Sequence, residues 1–461
     1  MSLPGEKKMK TAIKSLVLIN VLLIIMAAFV HGDRIEIVRY RLEEMGWGGM
    51  YLGFGAFFII INISVLIWRC ILFLRYRPAP PCHATRLPFC TVVVPAYNEG
   101  RQVLMTLESL VQSNYPEEKL QIIAVDDGSA DDTWHWICQA ENAYPGRITT
   151  IRLPFNQGKR HALFAGFNQS KGDILVTVDS DSVVEPETLQ RLVSPFVYDR
   201  LVGAVAGNVR VLNRSEGIIP RMLDVIYLFS FDFIRAAQSM VNTVLCTPGA
   251  LSAYRTEVVM RILPKWINQR FCGRPANIGE DRAMTNLILR EGYSTLFQQN
   301  ALVYTSAPVR YKNLCRMFLR WARSNVRETL VMSTFAFRTF REGPMLGARI
   351  NLFLQWMTLT TSQLLLLGTL ASLFLYPTLI GIQVLLGIVI SSSLRAWLYC
   401  WRERNTEGIW AYLYGIFWFL ALSWITPYAI FTPYKTGWLT RQTRDLKPKI
   451  PRMDTGLLPV S

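Results

Sequence analysis

Long apolar runs near both ends of the chain enclose a central segment of soluble composition, and this arrangement limits the folds open to it. Runs 15–30 and 50–68 precede the central segment, and runs 352–375, 379–394 and 409–431 follow it. Most approach the ~20 residues that a membrane-spanning helix needs. Only 18% of the 461 residues are charged, against about 25% in soluble proteins, and the mean hydropathy is +0.23. The sequence therefore predicts a membrane protein that carries an inserted soluble domain.

The net charge of +16 follows the apolar runs and so indicates a lipid bilayer rather than a nucleic acid as the partner. Lysines precede the first run and arginines follow the second, namely Lys7, Lys8, Lys10, Lys14, Arg69, Arg75, Arg77 and Arg86. Positively charged flanks stay in the cytoplasm, which predicts a multi-pass protein of the cell (inner) membrane with a cytoplasmic domain. A cleaved signal peptide is the alternative for run 15–30. No basic stripe interleaved with aromatic residues occurs, so we expect no nucleic acid partner.

The last apolar run, 409–431, contains Pro427 and is followed by Pro433 and a basic tail. A simple crossing would put that tail outside the cell, against the positive-inside bias, so we expect an interfacial or re-entrant segment. The predicted domains are two N-terminal transmembrane helices (1–81), a cytoplasmic domain (82–310), amphipathic interfacial helices (311–350), C-terminal membrane helices with the re-entrant or interfacial segment (351–434), and a cytoplasmic tail (435–461).

The positions of the cysteines and histidines argue against two classes of protein. These are small proteins held together by disulfide bonds and proteins with a metal site built on histidine. None of the eight Cys residues forms a CxxC pair, and the four His residues are scattered. We expect reduced, mostly buried cysteines and no His-based metal site.

The central segment contains four largely apolar runs that predict buried strands. These runs are 91–95, 122–127, 174–179 and 203–207, and helical stretches at 102–113, 133–140 and 160–168 separate the first three. Continuous rather than alternating apolar runs are typical of parallel strands that are covered on both faces. The order predicts an α/β domain with a mostly parallel sheet, whose ligands would bind at the carboxyl ends of the strands.

Two of these strands end in paired carboxylates. Asp126 and Asp127 end one strand, and Asp179 and Asp181 end another in a D-x-D pattern. Alternate residues of an extended segment point the same way, so we expect Asp179 and Asp181 to converge on one site. Their oxygens suit Mg²⁺ or Mn²⁺ shared with a substrate diphosphate. One such pair alone is equally typical of a turn or a helix cap.

Three further segments carry weaker signals. Residues 156–161 place Gly158, Lys159 and Arg160 at a strand-to-helix turn that suits a phosphate. Residues 279–282 open an apolar helix with two acidic residues, and residues 320–324 suit an amphipathic helix at a membrane surface. Taken singly, these segments are also typical of a solvated cap, an ordinary helix start and a surface helix.

The ordered set of motifs resembles the processive family 2 glycosyltransferases, and within them the hyaluronan synthases and the rhizobial chitooligosaccharide synthases. The motifs are Pro95-Ala96-Tyr97-Asn98-Glu99, Val125-Asp126-Asp127-Gly128-Ser129, Gly158-Lys159-Arg160, Asp179-Ser180-Asp181, Gly279-Glu280-Asp281-Arg282, Arg320-Trp321 and Trp438-Leu439-Thr440-Arg441. The resemblance covers about residues 91–444. It implies an α/β domain of the glycosyltransferase A type, inserted between transmembrane helices.

The resemblance also implies roles for individual residues. Uridine would be held by Tyr97, Glu99 and Asp127, with Lys159 and Asp179 also at the nucleotide. Asp181, together with Asp179, would bind Mg²⁺ or Mn²⁺. Asp281 would be the general base. The acceptor and the diphosphate would meet Arg320, Trp321, Arg282, Glu280 and Cys246, and Trp438 and Arg441 would close over the diphosphate.

The implied activity is that of a UDP-sugar-dependent inverting hexosyltransferase that extends a polysaccharide and secretes it. The donor would be UDP-GlcNAc, with UDP-GlcA as a further donor for the hyaluronan type, which we favour. A chitin-type synthase and a non-processive transferase acting on a lipid carrier are the alternatives, and the sequence sets no oligomeric state. Met317 stands where the family usually has Gln, which bears on acceptor handling. A position at a helix start is expected to keep Asp281 ionised.

Overall fold

The computed structural model describes Tyr40 and residues 48–435. Run 15–30, the lysines before it, and the tail from residue 436, with Trp438 and Arg441, lie outside the described residues. The predictions made for them therefore stay predictions.

The central domain is built on an eight-stranded mixed sheet in the order β3-β2-β1-β4-β7-β6-β10-β5. Strands β1 to β4 are parallel, as are β6 and β10, whereas β7 runs antiparallel to β4 and β6 and β5 runs antiparallel to β10. The strands are β1 Cys90–Ala96, β2 Leu120–Asp126, β3 Ile148–Arg152, β4 Ile174–Val178, β5 Ser182–Val184, β6 Val202–Val211, β7 Leu251–Arg255 and β10 Ser294–Thr305, with a separate β8 Arg270–Phe271 and β9 Arg274–Pro275 hairpin. The predicted mostly parallel α/β domain is confirmed.

Helices cover both faces of this sheet. In the domain they are α2 Gln102–Val111, α3 Thr133–Ala143, α4 Lys159–Asn168, α5 Thr188–Tyr198, α6 Ile218–Leu228, α7 Ala236–Ser239, α8 Thr256–Ile267 and α9 Glu280–Arg290, and a π-helical segment, Phe229–Arg235, joins α6 to α7. Val92 belongs to the core beneath α2, α3 and α5, while the adjacent Val93 belongs to the core beneath α4, α8 and α9. Successive strand residues face opposite ways, which explains why both must be apolar.

Apolar helices and one amphipathic helix precede and follow the domain in the sequence. They are α1 Gly48–Arg75, α10 Tyr311–Ser333, α11 Leu346–Leu359, α12 Thr361–Leu375, α13 Pro377–Glu403, α14 Trp410–Phe417 and α15 Ile425–Phe431, of which α10 is the amphipathic one. Within the described ranges, segments 53–75, 346–375 and 380–403 are long and apolar enough to cross a membrane. Segments 407–422 and 425–431 meet at a bend of 42°, which fits either a broken span or a re-entrant loop.

Ion pairs attach the end of α13 to the central domain. Asp232, in the π-helical segment, pairs with Arg210 of β6 at 3.0 Å and with Arg402 of α13 at 3.2 Å. Arg210 also pairs with Glu403 at 3.3 Å. Asp232 is buried, so these partners compensate a charge that would otherwise be costly. The contacts fix the base of α13 against the same segment that approaches the candidate site described next.

Candidate active site

Two loops at the carboxyl ends of β1 and β2 hold each other in place. The backbone N–H of Asn98 donates to Ser129 Oγ at 3.0 Å, and the N–H of Ala130 donates to Asn98 Oδ1 at 2.9 Å. Glu99 Oε1 accepts a hydrogen bond of 2.9 Å from the Ser180 hydroxyl, which lies between the two D-x-D aspartates. The structure therefore brings the Tyr97–Glu99 loop to the D-x-D loop.

Asp127 binds the loop that the sequence assigns to a phosphate. Its two carboxylate oxygens accept hydrogen bonds of 2.9 Å from Gln157 N–H and 2.8 Å from Gly158 N–H. These backbone donors are therefore already occupied, which corrects the expectation that they are available to a phosphate. Burial raises the pKa of Asp127, although the two hydrogen bonds oppose that rise. Gly128 makes the close approach possible, because at φ +68° a Cβ there would lie 2.5 Å from the Phe155 carbonyl carbon.

Asp179 and Asp181 lie in the turn between β4 and β5. The turn closes with a 3.1 Å hydrogen bond from Ser182 N–H to the Asp179 carbonyl, so strand alternation is not what orients the two carboxylates. Asp179 Oδ1 contacts Lys159 Nζ, and Asp181 Oδ1 accepts a 3.2 Å hydrogen bond from Thr305 Oγ1. The two carboxylates fit the hard oxygen ligands that Mg²⁺ or Mn²⁺ prefers. The described part of the chain contains no group of three or more His, Cys, Asp or Glu side chains that could hold a metal ion.

Lys159, the first residue of α4, lies between the D-x-D loop and the start of α9. Its Nζ contacts Asp179 Oδ1 and lies 3.4 Å from Glu280 Oε1. Burial alone would lower the pKa of Lys159, but Asp179 and Glu280 outweigh it and hold the pKa above its ordinary value. A Cβ on Gly249 would lie 2.4 Å from Nζ, so the absence of a side chain at 249 leaves room for this contact.

Of the two cations that the sequence places at this turn, Arg160 points away from the D-x-D loop. Its buried guanidinium donates to the Trp266 carbonyl at 2.7 Å and to Gln269 Oε1 at 3.1 Å. Trp266 Nε1 in turn donates to the Glu280 carbonyl at 2.9 Å. Arg160 is therefore linked through Trp266 to the start of α9, where it has a structural role and is not a ligand-binding cation.

Asp281 is the second residue of α9, which begins directly after Gly279. One of its carboxylate oxygens accepts a 2.7 Å hydrogen bond from Arg282 N–H, and the other lies 3.4 Å from Cys246 Sγ. Burial raises the pKa of Asp281, and the neighbouring Glu280 carboxylate adds to the rise. This corrects the expectation that the helix start keeps Asp281 readily ionised. Burial and Asp281 together raise the pKa of the Cys246 thiol to about 12, so the thiol stays protonated and can donate to Asp281.

Glu280 differs from its neighbour because cations surround it. Burial alone would raise the pKa of Glu280, but Lys159 and Arg320 outweigh it and hold the pKa below its ordinary value. Arg320 thus acts on the same cluster as Lys159. Arg282 instead directs its guanidinium to Asn325 Oδ1 of α10, at 2.9 Å.

Trp321 forms part of an aromatic wall beside this cluster. Its ring lies 6.2 Å from that of Tyr227, and 42% of the residue is exposed. The Tyr227 hydroxyl lies 3.9 Å from Met317 Sδ, and Tyr227 is within electrostatic reach of both Asp181 and Arg320. Met317 is therefore buried beside the hydroxyl of Tyr227 and offers no polar side chain to the site.

Sequence reasoning misses several residues of this site, namely Tyr227, Gly249, Trp266 and Thr305. None of them belongs to a motif, and each reaches the site through a tertiary contact. The sequence offers one signal that could have found Gly249, in the Cys246–Gly249 loop. A glycine directly before a buried strand is compatible with another group packing closely against the backbone.

Comparison with known proteins then identifies the family. Residues 88–324, just over half of the chain, match the profile of the glycosyltransferase like family 2. The chain belongs to this family.

Two proteins similar to this family 2 glycosyltransferase have different names. An N-acetylglucosaminyltransferase of Mesorhizobium japonicum is 32% identical over 77% of this chain and 82% of its own length. A hyaluronan synthase of Streptococcus pyogenes is 35% identical over 52% of this chain and 57% of its own length. The chain thus matches little more than half of that synthase.

Among solved structures, the mannosyltransferase of Pyrobaculum calidifontis in complex with GDP-Man and Mn²⁺ has a TM-score of 0.55. It is 21% identical and covers 79% of this chain and 99% of its own. At this identity the likeness establishes the fold, and the predicted glycosyltransferase A-type domain is confirmed.

Proposed function

We propose that this family 2 glycosyltransferase is a membrane-embedded, processive polysaccharide synthase that transfers N-acetylglucosamine from UDP-GlcNAc to a growing chain. The observation that carries the proposal is the cluster in which Lys159 joins Asp179 of the D-x-D loop to Glu280, next to Asp281. This cluster puts a cation for the leaving group beside a carboxylate for the acceptor. The relatives' names supply the sugar, because N-acetylglucosamine transfer is named for one of them.

We assign the binding of the UDP-sugar donor to the carboxyl ends of the parallel strands. Tyr97, Glu99 and Asp127 would hold the uridine, since their loops are fixed to one another and to the D-x-D loop. A divalent cation, Mg²⁺ or Mn²⁺, held by Asp181 and Asp179 would neutralise charge on the diphosphate.

The transfer itself needs a base at the acceptor and stabilisation of the leaving UDP. Asp281 takes the proton of the acceptor hydroxyl as that oxygen bonds to the sugar C1 from the face opposite the diphosphate. The bond between C1 and the diphosphate oxygen breaks, the configuration inverts, and the electron pair leaves with UDP. Lys159 and Arg320 stabilise the negative charge that develops there, because both lie in the cluster around Glu280.

The acceptor side is assigned to the aromatic wall and the Cys246 loop. Trp321 would pack against the terminal sugar, and Cys246, Glu280 and Arg282 would position it at Asp281. Trp438 and Arg441 would close over the diphosphate from the tail, which lies outside the described residues.

The apolar helices suit a bilayer beside this site. We propose that segments 53–75, 346–375 and 380–403 cross the cell (inner) membrane, with the catalytic domain in the cytoplasm and the polymer secreted between the helices. The domain boundaries predicted above belong to the same proposal. A polymer of sugars cannot dissolve in lipid, so a path next to the acceptor site is needed.

Hyaluronan is the product we favour, with alternate transfer from UDP-GlcNAc and UDP-GlcA. Chitin-type oligosaccharide is the second candidate, because the N-acetylglucosaminyltransferase relative is matched over 82% of its length. A non-processive transferase acting on a lipid carrier is the third.

Purified full-length protein in lipid nanodiscs, with Mg²⁺ or Mn²⁺, tests these alternatives. Radiolabelled UDP-GlcNAc is supplied alone and with UDP-GlcA, and products are sized before and after hyaluronidase or chitinase. Hyaluronidase-sensitive polymer formed only with both donors supports the hyaluronan type, and chitinase-sensitive product from UDP-GlcNAc alone supports the chitin type. Label recovered in organic solvent indicates a lipid carrier. No transfer from any UDP-sugar rejects the proposal.

A further inference from the structure

The end of the last apolar segment returns to the central domain and is held there by α10. Arg323 of α10 donates a 3.2 Å hydrogen bond from Nε to Thr432 Oγ1, and its guanidinium carbon lies 5.7 Å from the centroid of the Tyr428 ring. Both Arg323 and Thr432 are buried. The C-terminal tail therefore begins against α10.

The β8–β9 hairpin provides a second contact for this part of the chain. The guanidinium carbon of Arg274, in β9, lies 5.1 Å from the centroid of the Tyr434 ring. Arg274 is exposed and Tyr434 is half-buried, so the pair lies at the surface. The turn of the hairpin is tight, because Cys272 and Gly273 both have positive φ, of +48° and +76°, as in the turns that join two strands through two residues. This turn sets the position of Arg274, the residue that follows it.

The contacts of Arg323 bring the beginning of the tail next to the catalytic cluster. Ser324 follows Arg323 in α10 and packs against Gly279, since a Cβ on Gly279 would lie 2.5 Å from Ser324 Cβ. Gly279 in turn precedes Glu280, which lies 3.4 Å from Lys159 Nζ. The start of α9 and the start of the tail are thus held by adjacent residues of α10.

Only a short segment separates this anchored position from the two tail residues assigned to the diphosphate. Lys435 closes a turn at the end of α15, since its N–H donates a 3.2 Å hydrogen bond to the Thr432 carbonyl. An extended chain spans about 3.5 Å per residue, so the steps from Lys435 to Trp438 and to Arg441 cover at most about 10 Å and about 20 Å. Over so short a segment, the position of Tyr434 limits where both residues can lie.

We propose that the β8–β9 hairpin is the docking site for the beginning of the tail, and that the Arg274–Tyr434 pair is a positioning contact that holds the tail closed over a bound diphosphate. The inference rests on the proposed function, in which Trp438 and Arg441 close over the diphosphate. It deepens that function by giving a role to a hairpin that none of the sequence motifs includes. A guanidinium is attracted to the face of an aromatic ring and needs no hydroxyl there. Phenylalanine should therefore substitute for Tyr434, whereas leucine should not.

Hydrogen–deuterium exchange measures how firmly the tail is closed. Full-length protein in nanodiscs is saturated with UDP and Mg²⁺, and exchange is followed in the peptide that covers residues 436–444. We expect UDP to slow this exchange in the wild-type protein. Arg274→Gln and Tyr434→Leu should each speed the exchange of the UDP-bound protein about two- to fivefold, as loss of one surface cation–π pair allows, and Tyr434→Phe should match wild type. Arg86→Gln is the matched control, because Arg86 forms a surface pair of the same kind with Tyr198, at 5.9 Å.

A double variant distinguishes one shared contact from two independent effects. Both substitutions break the same contact, so Arg274→Gln/Tyr434→Leu should exchange no faster than either single variant. Exchange that UDP does not slow in the wild-type protein, or that Arg274→Gln leaves unchanged, would overturn the inference, as would exchange in Tyr434→Phe as fast as in Tyr434→Leu. Transfer of N-acetylglucosamine by protein whose tail UDP does not slow would overturn this inference alone, whereas slowing by UDP without transfer from any UDP-sugar would reject the proposed function alone.

Discussion

Gly279 holds Asp281 in position, and replacing it with alanine should disable transfer. At φ +69°, a Cβ on Gly279 would lie 1.8 Å from Ser324 Oγ and 2.5 Å from Ser324 Cβ. Rotating the Ser324 hydroxyl relieves the first overlap but not the second, so α9 and α10 must separate by about 1 Å to restore ordinary contact. The left-handed backbone adds roughly 1 kcal/mol for a residue with a Cβ.

A shift of about 1 Å at a reacting group can cost around 10²-fold in rate. We therefore expect Gly279→Ala to lower kcat for UDP-GlcNAc transfer about 100-fold while UDP binding, measured by calorimetry, changes little. We expect donor binding to be spared because the overlap lies between the start of α9 and α10, whereas Asp127 lies in the loop after β2. The measured rate should be that of initial product formation in nanodiscs.

Two variants separate the steric overlap from backbone strain. Gly146→Ala has a similar φ of +76° but meets no atom within 4 Å, so it should keep at least half of the activity. Ser324→Gly removes the overlapping atoms. Because the Ser324 hydroxyl has no hydrogen-bond partner within the described ranges, the double variant Gly279→Ala/Ser324→Gly should recover most of the rate. Wild-type activity in Gly279→Ala, or no recovery in the double variant, would refute the reasoning.

Three further predictions concern charge, metal and topology. Since Glu280 raises the pKa of Asp281, and the base must be ionised, Glu280→Gln should move the acid limb of kcat/KM to lower pH; an unmoved limb contradicts this. EDTA should abolish transfer, and Mg²⁺ or Mn²⁺ should restore it in the wild-type protein but not in Asp181→Ala, so full activity in the chelated sample argues against the metal. A single Cys at Thr443, five residues after Trp438 in the sequence, should resist a membrane-impermeant maleimide in intact cells, and labelling there would place the tail outside.

The sequence predicts the sheet and the acidic edge because both depend on local pattern. Apolar runs around Val92 and Ile123 must be strands that are covered on both faces, and parallel strands bring Asp127 and Asp179 to one edge. The local sequence pattern does not distinguish the roles of Lys159 and Arg160. Consecutive helix residues diverge by about 100°, so one reaches the site while the other enters the core, and the sequence does not say which.

The remaining features of the site depend on tertiary contacts, which the sequence pattern does not show. The raised pKa of Asp281 follows from burial, which cannot be seen at a helix start in the sequence, where the dipole argument favours the ionised form. Arg235 reaches the Cys246 loop from a π-helical segment, a local geometry that the sequence pattern does not predict. Gly249 lies beside Lys159 although 90 residues separate them.

The central claim is that Asp281 activates an acceptor for a sugar carried by UDP, and one paired measurement tests it most directly. UDP binding and UDP release from UDP-GlcNAc are measured on the wild-type protein and on Asp281→Asn in the same nanodisc preparation. We predict that the variant binds UDP within about twofold of wild type and loses 10²- to 10⁴-fold of the acceptor-dependent release, as loss of a general base does. Release above about a tenth of the wild-type rate in Asp281→Asn would contradict the account.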